Sequence, residues 1–176
     1  MQNKVRFGMI GYGKVAALHA QALATIQHGE LVSVCGHRQE KRDSFAYRWG
    51  LNSRNSVKEM VKEDAIQAVL ITTPHPQHYS DALLALKAGC HVLVEKPLTL
   101  SVAEAETLIS EANKRNLLLS VIAQRRWYPS CQRIRHAIDE GNLGTPALGQ
   151  LTILGWRDEA YYRSDPWRGS WEHEGG

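Results

Sequence analysis

No block of five or more like charges occurs anywhere in this chain, and the basic excess is only 21 − 18 = 3. Non-specific phosphate binding needs a concentrated basic face, so nucleic acid and anionic membrane surfaces are not expected as partners. Cysteine is scarce as well. Cys35, Cys90 and Cys131 form an odd set without paired spacing, which excludes a disulfide framework and suits the reducing cytoplasm. No apolar run approaches the ~20 residues of a membrane span. Met1-Gln2-Asn3-Lys4 leads straight into a strand-like run, without the regions of a signal peptide. Internal repeats and low-complexity stretches are missing too. What is there is a chain of 176 residues, 43% hydrophobic and 22% charged. That composition predicts a folded, soluble protein, long enough for one domain and part of another at roughly 100–200 residues per domain.

Short β-branched runs alternate with longer amphipathic stretches over the first two-thirds. Val5 to Ile10 predicts a strand, and residues 14–28 a helix with Leu18, Ala22 and Ile26 aligned on one face. Residues 31–35 predict a second strand, followed by a helix that turns Phe45 and Trp49 inward. A shorter helix over 55–63 carries Val57, Met60 and Val61. Ala68-Val69-Leu70-Ile71 is apolar throughout, as a strand covered on both faces of a parallel sheet would be. A helix over 77–88, a strand over 91–94, a helix over 101–114 and a strand over 117–122 complete the run. Ser101 with Glu104 three residues on reads as a capping box, and Gly89 stands just past a helix end. The alternation needs right-handed crossovers. It predicts an α/β fold, a doubly wound parallel Rossmann sheet over residues 1–123.

Residues 124–176 differ in character and predict the incomplete start of an α+β domain for substrate binding or oligomerisation. Four of the five tryptophans lie there, and every Lys/Arg position there is arginine. A helix over 130–140 turns Ile134 and Ile138 inward and stops at Gly141. Gly144-Thr145-Pro146 then leads into an alternating strand with Leu148, Gln150, Thr152, Leu154 and Trp156 on one face. One helix and one strand cannot close a core, since a sheet needs about three strands or a covering helix. Association, segment exchange or disorder beyond residue 145 is therefore expected.

Gly11-Tyr12-Gly13-Lys14-Val15-Ala16 falls between the first strand and the first helix and reads as G-x-G-x-x-A. Gly11 allows the tight turn, Gly13 lets the backbone approach a pyrophosphate, and Ala16 lets helix and strand pack closely. The helix start presents N–H groups and a positive dipole to the anion, and Tyr12, Lys14 and Val15 are expected to contact the cofactor beside the two glycines. A tight turn without a ligand is the plain alternative; the place between strand and helix is what favours binding. The second strand bears on the choice of cofactor. An acidic residue about 20 residues beyond the motif would accept the ribose hydroxyls of NAD. Here the strand ends in Cys35-Gly36-His37-Arg38, without a carboxylate. Gly36 leaves room for a 2′-phosphate, and His37 and Arg38 offer cationic partners, so NADP is favoured over NAD.

Val92-Leu93-Val94 runs into Glu95-Lys96-Pro97, at the end of a strand where ligands of such sheets sit. Pro97 holds Lys96 away from helical geometry and makes a fixed turn, with a cis bond as one of its forms. A lysine there could exchange a proton with a substrate hydroxyl if its ordinary pKa of ~10.4 falls through burial or nearby positive charge. A solvated ion pair at a strand end is the alternative.

With Thr73-Pro74-His75-Pro76-Gln77-His78, the segment from Ala88 to Leu98, Gln124-Arg125-Arg126-Trp127-Tyr128-Pro129 and Asp165-Pro166-Trp167-Arg168-Gly169, the chain resembles the glucose–fructose oxidoreductase / inositol dehydrogenase (Gfo/Idh/MocA) family. The resemblance runs over essentially its whole length. It implies that Lys96 lies beside nicotinamide and substrate as the acid–base residue, and that Glu95 contacts the nicotinamide ribose. It also implies that Thr73 and Pro74 line the cofactor, that His78 faces it, and that Trp167 and Arg168 reach it from the second domain. The reaction implied is reversible oxidation of a secondary alcohol on a sugar, cyclitol or nucleotide-sugar. Members are about twice as long, carry a further histidine helix that would follow Gly175-Gly176, and pair through the second-domain sheet, which implies a homo-oligomer when that sheet is complete.

Arg125, Arg126 and Tyr128 are candidates for substrate contact; pairing with carboxylates or aromatic packing are the alternatives. His75, His78 and His91 lack metal-ligand spacing, so no metal is expected. Cys35 and Cys90 read as small buried hydrophobes, Cys131 lacks a nucleophile's surroundings, and His19 reads as a surface or packing residue. A non-catalytic dinucleotide-binding module is the rival to the enzyme reading, because binding needs only the first domain.

Overall fold

Six strands run in one direction: β1 Val5–Ile10, β2 Gly29–Cys35, β3 Asn52–Arg54, β4 Ala68–Ile71, β5 His91–Glu95 and β6 Leu119–Ile122. Five helices connect them: α1 Lys14–Leu23, α2 Gln39–Trp49, α3 Val57–Asp64, α4 His78–Lys87 and α5 Val102–Arg115. These come from a computed structural model, which describes residues 4–165 and 167–174. Met1, Gln2, Asn3, Pro166, Gly175 and Gly176, which carried the readings of both chain ends and part of the Trp167-Arg168 motif, lie outside the described residues. The sheet order is β3-β2-β1-β4-β5-β6, and every neighbouring pair is parallel. Ile10 aligns with Cys35 on one side and Ile71 on the other. The winding reverses between β1 and β4, so the loops beyond their carboxyl ends part there and leave a crevice.

Alternation along the strands feeds two cores. Met9, Val34 and Leu70 pack with Ala16, Ala20, Phe45 and Ala46, on the side of α1 and α2. Ile10, Val69, Ile71, Val92 and Val94 pack with Met60, Leu86 and Leu108, on the side of α3, α4 and α5. Burying each such side chain contributes about 1.5–3 kcal/mol. All four residues of β4 are buried, as its unbroken apolar run predicts. Ser56 and Ser101 cap α3 and α5, accepting hydrogen bonds from Glu59 N at 3.2 Å and Glu104 N at 3.3 Å.

Three local expectations are corrected. α1 ends at Leu23, and its inner face is Ala16 and Ala20; Leu18, Ala22 and Ile26 are exposed. The close approach of helix to sheet leaves space only for the small side chains, so the larger ones turn outward. β3 was not expected, because Asn-Ser-Arg has no apolar pattern. Asn52 and Arg54 are satisfied instead by Asp64, whose side chain is almost fully buried, and Ser53 by Arg42 and Asp43. Asn52 Nδ2 donates to Asp64 at 2.7 Å, and Arg54 donates from Nε at 2.9 Å and from Nη2 at 2.7 Å. The Arg54 guanidinium thereby holds the Asp64 carboxyl below the usual carboxylate range, against the opposing effect of burial.

The chain divides into two compact units, residues 1–122 with 170–176, and residues 123–169. The second contains a 3₁₀ turn Gln124–Trp127 and the helices α6 Pro129–Asp139 and α7 Glu159–Arg163; none of its described residues is buried. The alternating strand expected over 148–156 is absent: those residues have no regular structure and are exposed. A strand exists through bonds to a neighbouring strand, and this stretch has none among the described residues. The stretch after it, expected to be loop, forms α7 and, within the first unit, α8 Trp171–Glu174.

Candidate functional site

At the carboxyl end of β1 the chain turns at Gly11, where φ is +103°. A Cβ there would stand 2.7 Å from Thr72 Oγ1 and 3.0 Å from the Thr72 carbonyl carbon. Thr72 is held in place by donating from its amide (2.9 Å) and hydroxyl (3.0 Å) to Ile10 O. Only glycine fits such a turn. Gly13 is open by contrast. A Cβ on it would meet nothing within 4 Å, and no side chain caps the start of α1. Its backbone is extended at φ −82°, and Lys14 and Val15 beside it are exposed. The first amides of α1 therefore open onto free space at the reversal of the sheet, a setting suited to an anionic group.

Tyr12 turns toward the loop after β2. Its Oη accepts the Arg38 amide at 2.8 Å, and its ring lies over Gly36, where a Cβ would approach Cε1 to 2.5 Å. The missing carboxylate after β2 thus has a steric counterpart: Tyr12 occupies the space a side chain at 36 would take. Beneath this loop Arg42, only 6% exposed, donates to Gly36 O at 3.0 Å and to Ser53 Oγ at 2.7 Å. His37 and Arg38 are exposed.

The turns after β4 and β5 are tied to each other and to the helices. Thr73 Oγ1 donates to Asp81 at 2.7 Å. Burial pushes the Asp81 carboxyl up, opposed by this bond and by the charges of His37 and His78. His78, expected to face a cofactor, is placed elsewhere: it has no solvent exposure, and its ring nitrogens meet the carbonyl oxygens of Pro97 at 2.7 Å and Thr73 at 2.9 Å. The Lys96–Pro97 bond is cis, and Lys96 is exposed beside the half-buried Glu95. Glu95 accepts the Lys96 amide at 3.1 Å and meets His19 Nε2 at 2.8 Å. Burial raises the Glu95 carboxyl, but the hydrogen bond and charge of His19 with the Lys96 amide and ammonium outweigh it, leaving the group below its usual range.

His19, Arg42 and Asp81 were missed as members of this region. Their partners are set by the fold; His19 and Glu95 are 76 positions apart. The second unit groups Trp167 and Arg168 locally. The Arg168 guanidinium lies 4.5 Å from the ring centres of both Tyr161 and Trp167, donating to Tyr161 Oη at 2.7 Å and Asp165 at 3.1 Å. Arg125, Arg126 and Tyr128 are exposed in that same unit. Cys35 and Cys90 are buried, and burial raises their thiols to about 12 and about 11. Among the described residues no group of three or more metal-ligating side chains converges, and no helix is long and apolar enough to cross a membrane.

Comparison with known proteins adds to this geometry. The family model described as "Oxidoreductase family, NAD-binding Rossmann fold" (GFO_IDH_MocA) matches residues 5–123. The chain is 32% identical over 167 residues to the scyllo-inositol 2-dehydrogenase (NADP(+)) IolW of Bacillus subtilis, covering 93% of this chain and 45% of that protein. It is 35% identical over 133 residues to the UDP-N-acetylglucosamine 3-dehydrogenase of Acidithiobacillus ferrooxidans, covering 76% of this chain and 41% of that one. The chain thus spans less than half the length of these relatives. The crystal structure of the WlbA dehydrogenase from Bordetella pertussis, in complex with NADH and UDP-GlcNAcA, superposes with a TM-score of 0.90 at 26% identity, over 99% of this chain and 52% of that one.

Proposed function

This chain belongs to the Gfo/Idh/MocA oxidoreductase family, and from that premise we propose that its crevice holds a nicotinamide dinucleotide, NADP in preference to NAD. The observation that carries the reading is the open space over Gly13, where the uncapped amides of α1 stand ready for a pyrophosphate. Gly11, Gly13, Lys14 and Val15 form that part of the cradle. Tyr12 acts from behind by shaping the loop of Gly36, His37 and Arg38. Two exposed basic side chains with no carboxylate at position 36 favour a 2′-phosphate over bare ribose hydroxyls.

Thr73, Pro74 and Glu95 line the nicotinamide side in this reading, and Lys96 is the acid–base residue. A bound nicotinamide dinucleotide supplies the hydride acceptor or donor. Lys96 Nζ takes the hydroxyl proton from a secondary alcohol during oxidation and returns it in the reverse direction. The Glu95 carboxylate holds the Lys96 amide and so orients the turn. The substrate is a sugar, cyclitol or nucleotide-sugar, and the relatives named above include a dehydrogenase of a cyclitol and one of a nucleotide-sugar. Residues 124–176 begin the substrate and oligomerisation domain, from which Arg125, Arg126 and Tyr128 reach substrate and Trp167 and Arg168 reach the cofactor. A homo-oligomer paired through that domain and a cytoplasmic location, suited to three free thiols, complete the proposal.

Fluorescence titration of the chain with NADPH and NADH tests it. NADPH should bind more tightly, and Arg38→Ala should raise the NADPH Kd about tenfold with little change for NADH. Failure to bind either nucleotide would remove the cofactor reading, and tighter NADH binding would remove the NADP preference. In a polypeptide extended to the length of the relatives, Lys96→Ala should keep nucleotide affinity and lose turnover on a polyol and sugar panel. Binding without turnover in the unsubstituted extended form would favour a non-catalytic module.

A further inference from the structure

His78 is polar, yet no part of it reaches solvent. Its Nδ1 stands 2.7 Å from the Pro97 carbonyl oxygen and its Nε2 2.9 Å from the Thr73 carbonyl oxygen. A carbonyl oxygen only accepts, so each bond requires a hydrogen on the ring nitrogen. A ring with a single hydrogen makes one of the two bonds and turns a lone pair toward the other oxygen. Leaving a buried acceptor opposed in that way carries its full desolvation cost. The two carbonyls belong to different turns, one following β4 and one following β5.

We propose that His78 is a positioning residue, a buried strut that donates from both ring nitrogens and so sets the spacing between the Thr73–Pro74 turn and the Lys96–Pro97 turn. Donation from both nitrogens leaves the ring positively charged. Asp81, one helical turn further along α4, is the carboxylate placed to balance that charge, and it also accepts the Thr73 hydroxyl at 2.7 Å. The His75 ring lies 5.5 Å from that of His78, centre to centre, and His37 acts on Asp81 from the β2 loop. His78, Asp81 and the Thr73 hydroxyl therefore form one network beneath the residues assigned above to cofactor contact and proton transfer. The inference rests on that cofactor reading for its functional consequence, whereas the double donation stands on geometry alone.

Two variants separate donation from packing. His78→Gln retains a donor group, and His78→Leu fills the space without one. In NADPH titrations of the folded chain, Kd should rise about three- to tenfold in His78→Gln and at least about 30-fold in His78→Leu. Equal affinities in the two variants, or tighter binding by His78→Leu, would overturn the proposal. A change at so buried a position can also prevent folding, so the ring is read directly in the unmodified chain. Nitrogen-15 spectra of histidine-labelled protein should show hydrogen on both His78 nitrogens in the folded chain. A bare ring nitrogen in the folded chain would overturn the proposal. Should the unmodified chain bind neither NADPH nor NADH, the cofactor reading falls, while the nitrogen spectra still decide whether the strut exists.

Discussion

His19 Nε2 lies 2.8 Å from Glu95 Oε1, so α1, whose start forms the proposed pyrophosphate site, is bonded to the turn that carries Lys96. The two side chains are about one-fifth exposed, at 21% and 18%, and the pair is screened less than a surface ion pair would be. Its second carboxylate oxygen holds the Lys96 amide. One glutamate thus links the cradle's two ends.

Removing His19 should loosen that link while leaving the fold in place. His19→Ala should lower stability by about 1 kcal/mol and raise the NADPH Kd about three- to tenfold. His19→Gln, which can still donate to Glu95, should recover most of both losses. Urea unfolding and fluorescence titration read the two effects, and unchanged affinity in His19→Ala would show that the link plays no part in binding.

The two glycines of the turn should fail in different ways. Gly11→Ala forces a Cβ against Thr72 at a φ of +103°, so it should destabilise the fold by about 2 kcal/mol or more. Gly13→Ala meets nothing within 4 Å and has an ordinary φ. It should melt within a few degrees of the unsubstituted chain and yet weaken NADPH binding at least about tenfold, because the methyl group stands where the pyrophosphate approaches. Full NADPH affinity in Gly13→Ala would place the anion elsewhere.

Acid should act through Asp64. Its carboxyl is held below the usual range in the folded chain, so the unfolded state binds more protons at acidic pH. The resulting stability is fully present above the ordinary aspartate value of ~3.9 and is lost as pH falls through the depressed one. Asp64→Asn should cost about 2 kcal/mol at pH 7, and the gap between variant and parent should narrow toward pH 3. Urea midpoints at pH 7, 5 and 3 measure this; a gap that stays constant with pH would contradict it.

Thiol chemistry should follow burial. Cys35 and Cys90 are buried, with thiols raised to about 12 and about 11, while Cys131 on α6 is partly accessible. A disulfide reagent at pH 8 should therefore titrate one thiol rapidly in the folded chain and three after unfolding. Rapid reaction of Cys35 would mean that the end of β2 opens readily.

Periodicity and punctuation determined most of the Rossmann sheet in advance, because they act over a few residues. The apolar run of β4 required cover on both faces, Ser101 and Glu104 marked a helix start, and Gly11-Tyr12-Gly13 marked the turn between β1 and α1. Wherever local pattern and tertiary context disagreed, context decided. Leu18 and Ile26 stand at helical spacing, yet the closeness of α1 to the sheet admitted only Ala16 and Ala20. Leu148 to Trp156 alternates as a strand should, but without a neighbour to bond it forms none. Asn52-Ser53-Arg54 has no strand signature and becomes one because β2 pairs with it, Asp64 satisfies Asn52 and Arg54, and Arg42 and Asp43 satisfy Ser53. The tertiary structure alone paired His19 with Glu95 and set His78 between Thr73 and Pro97. Buried polar groups choose partners by distance in space, and distance along the chain carries no record of that choice.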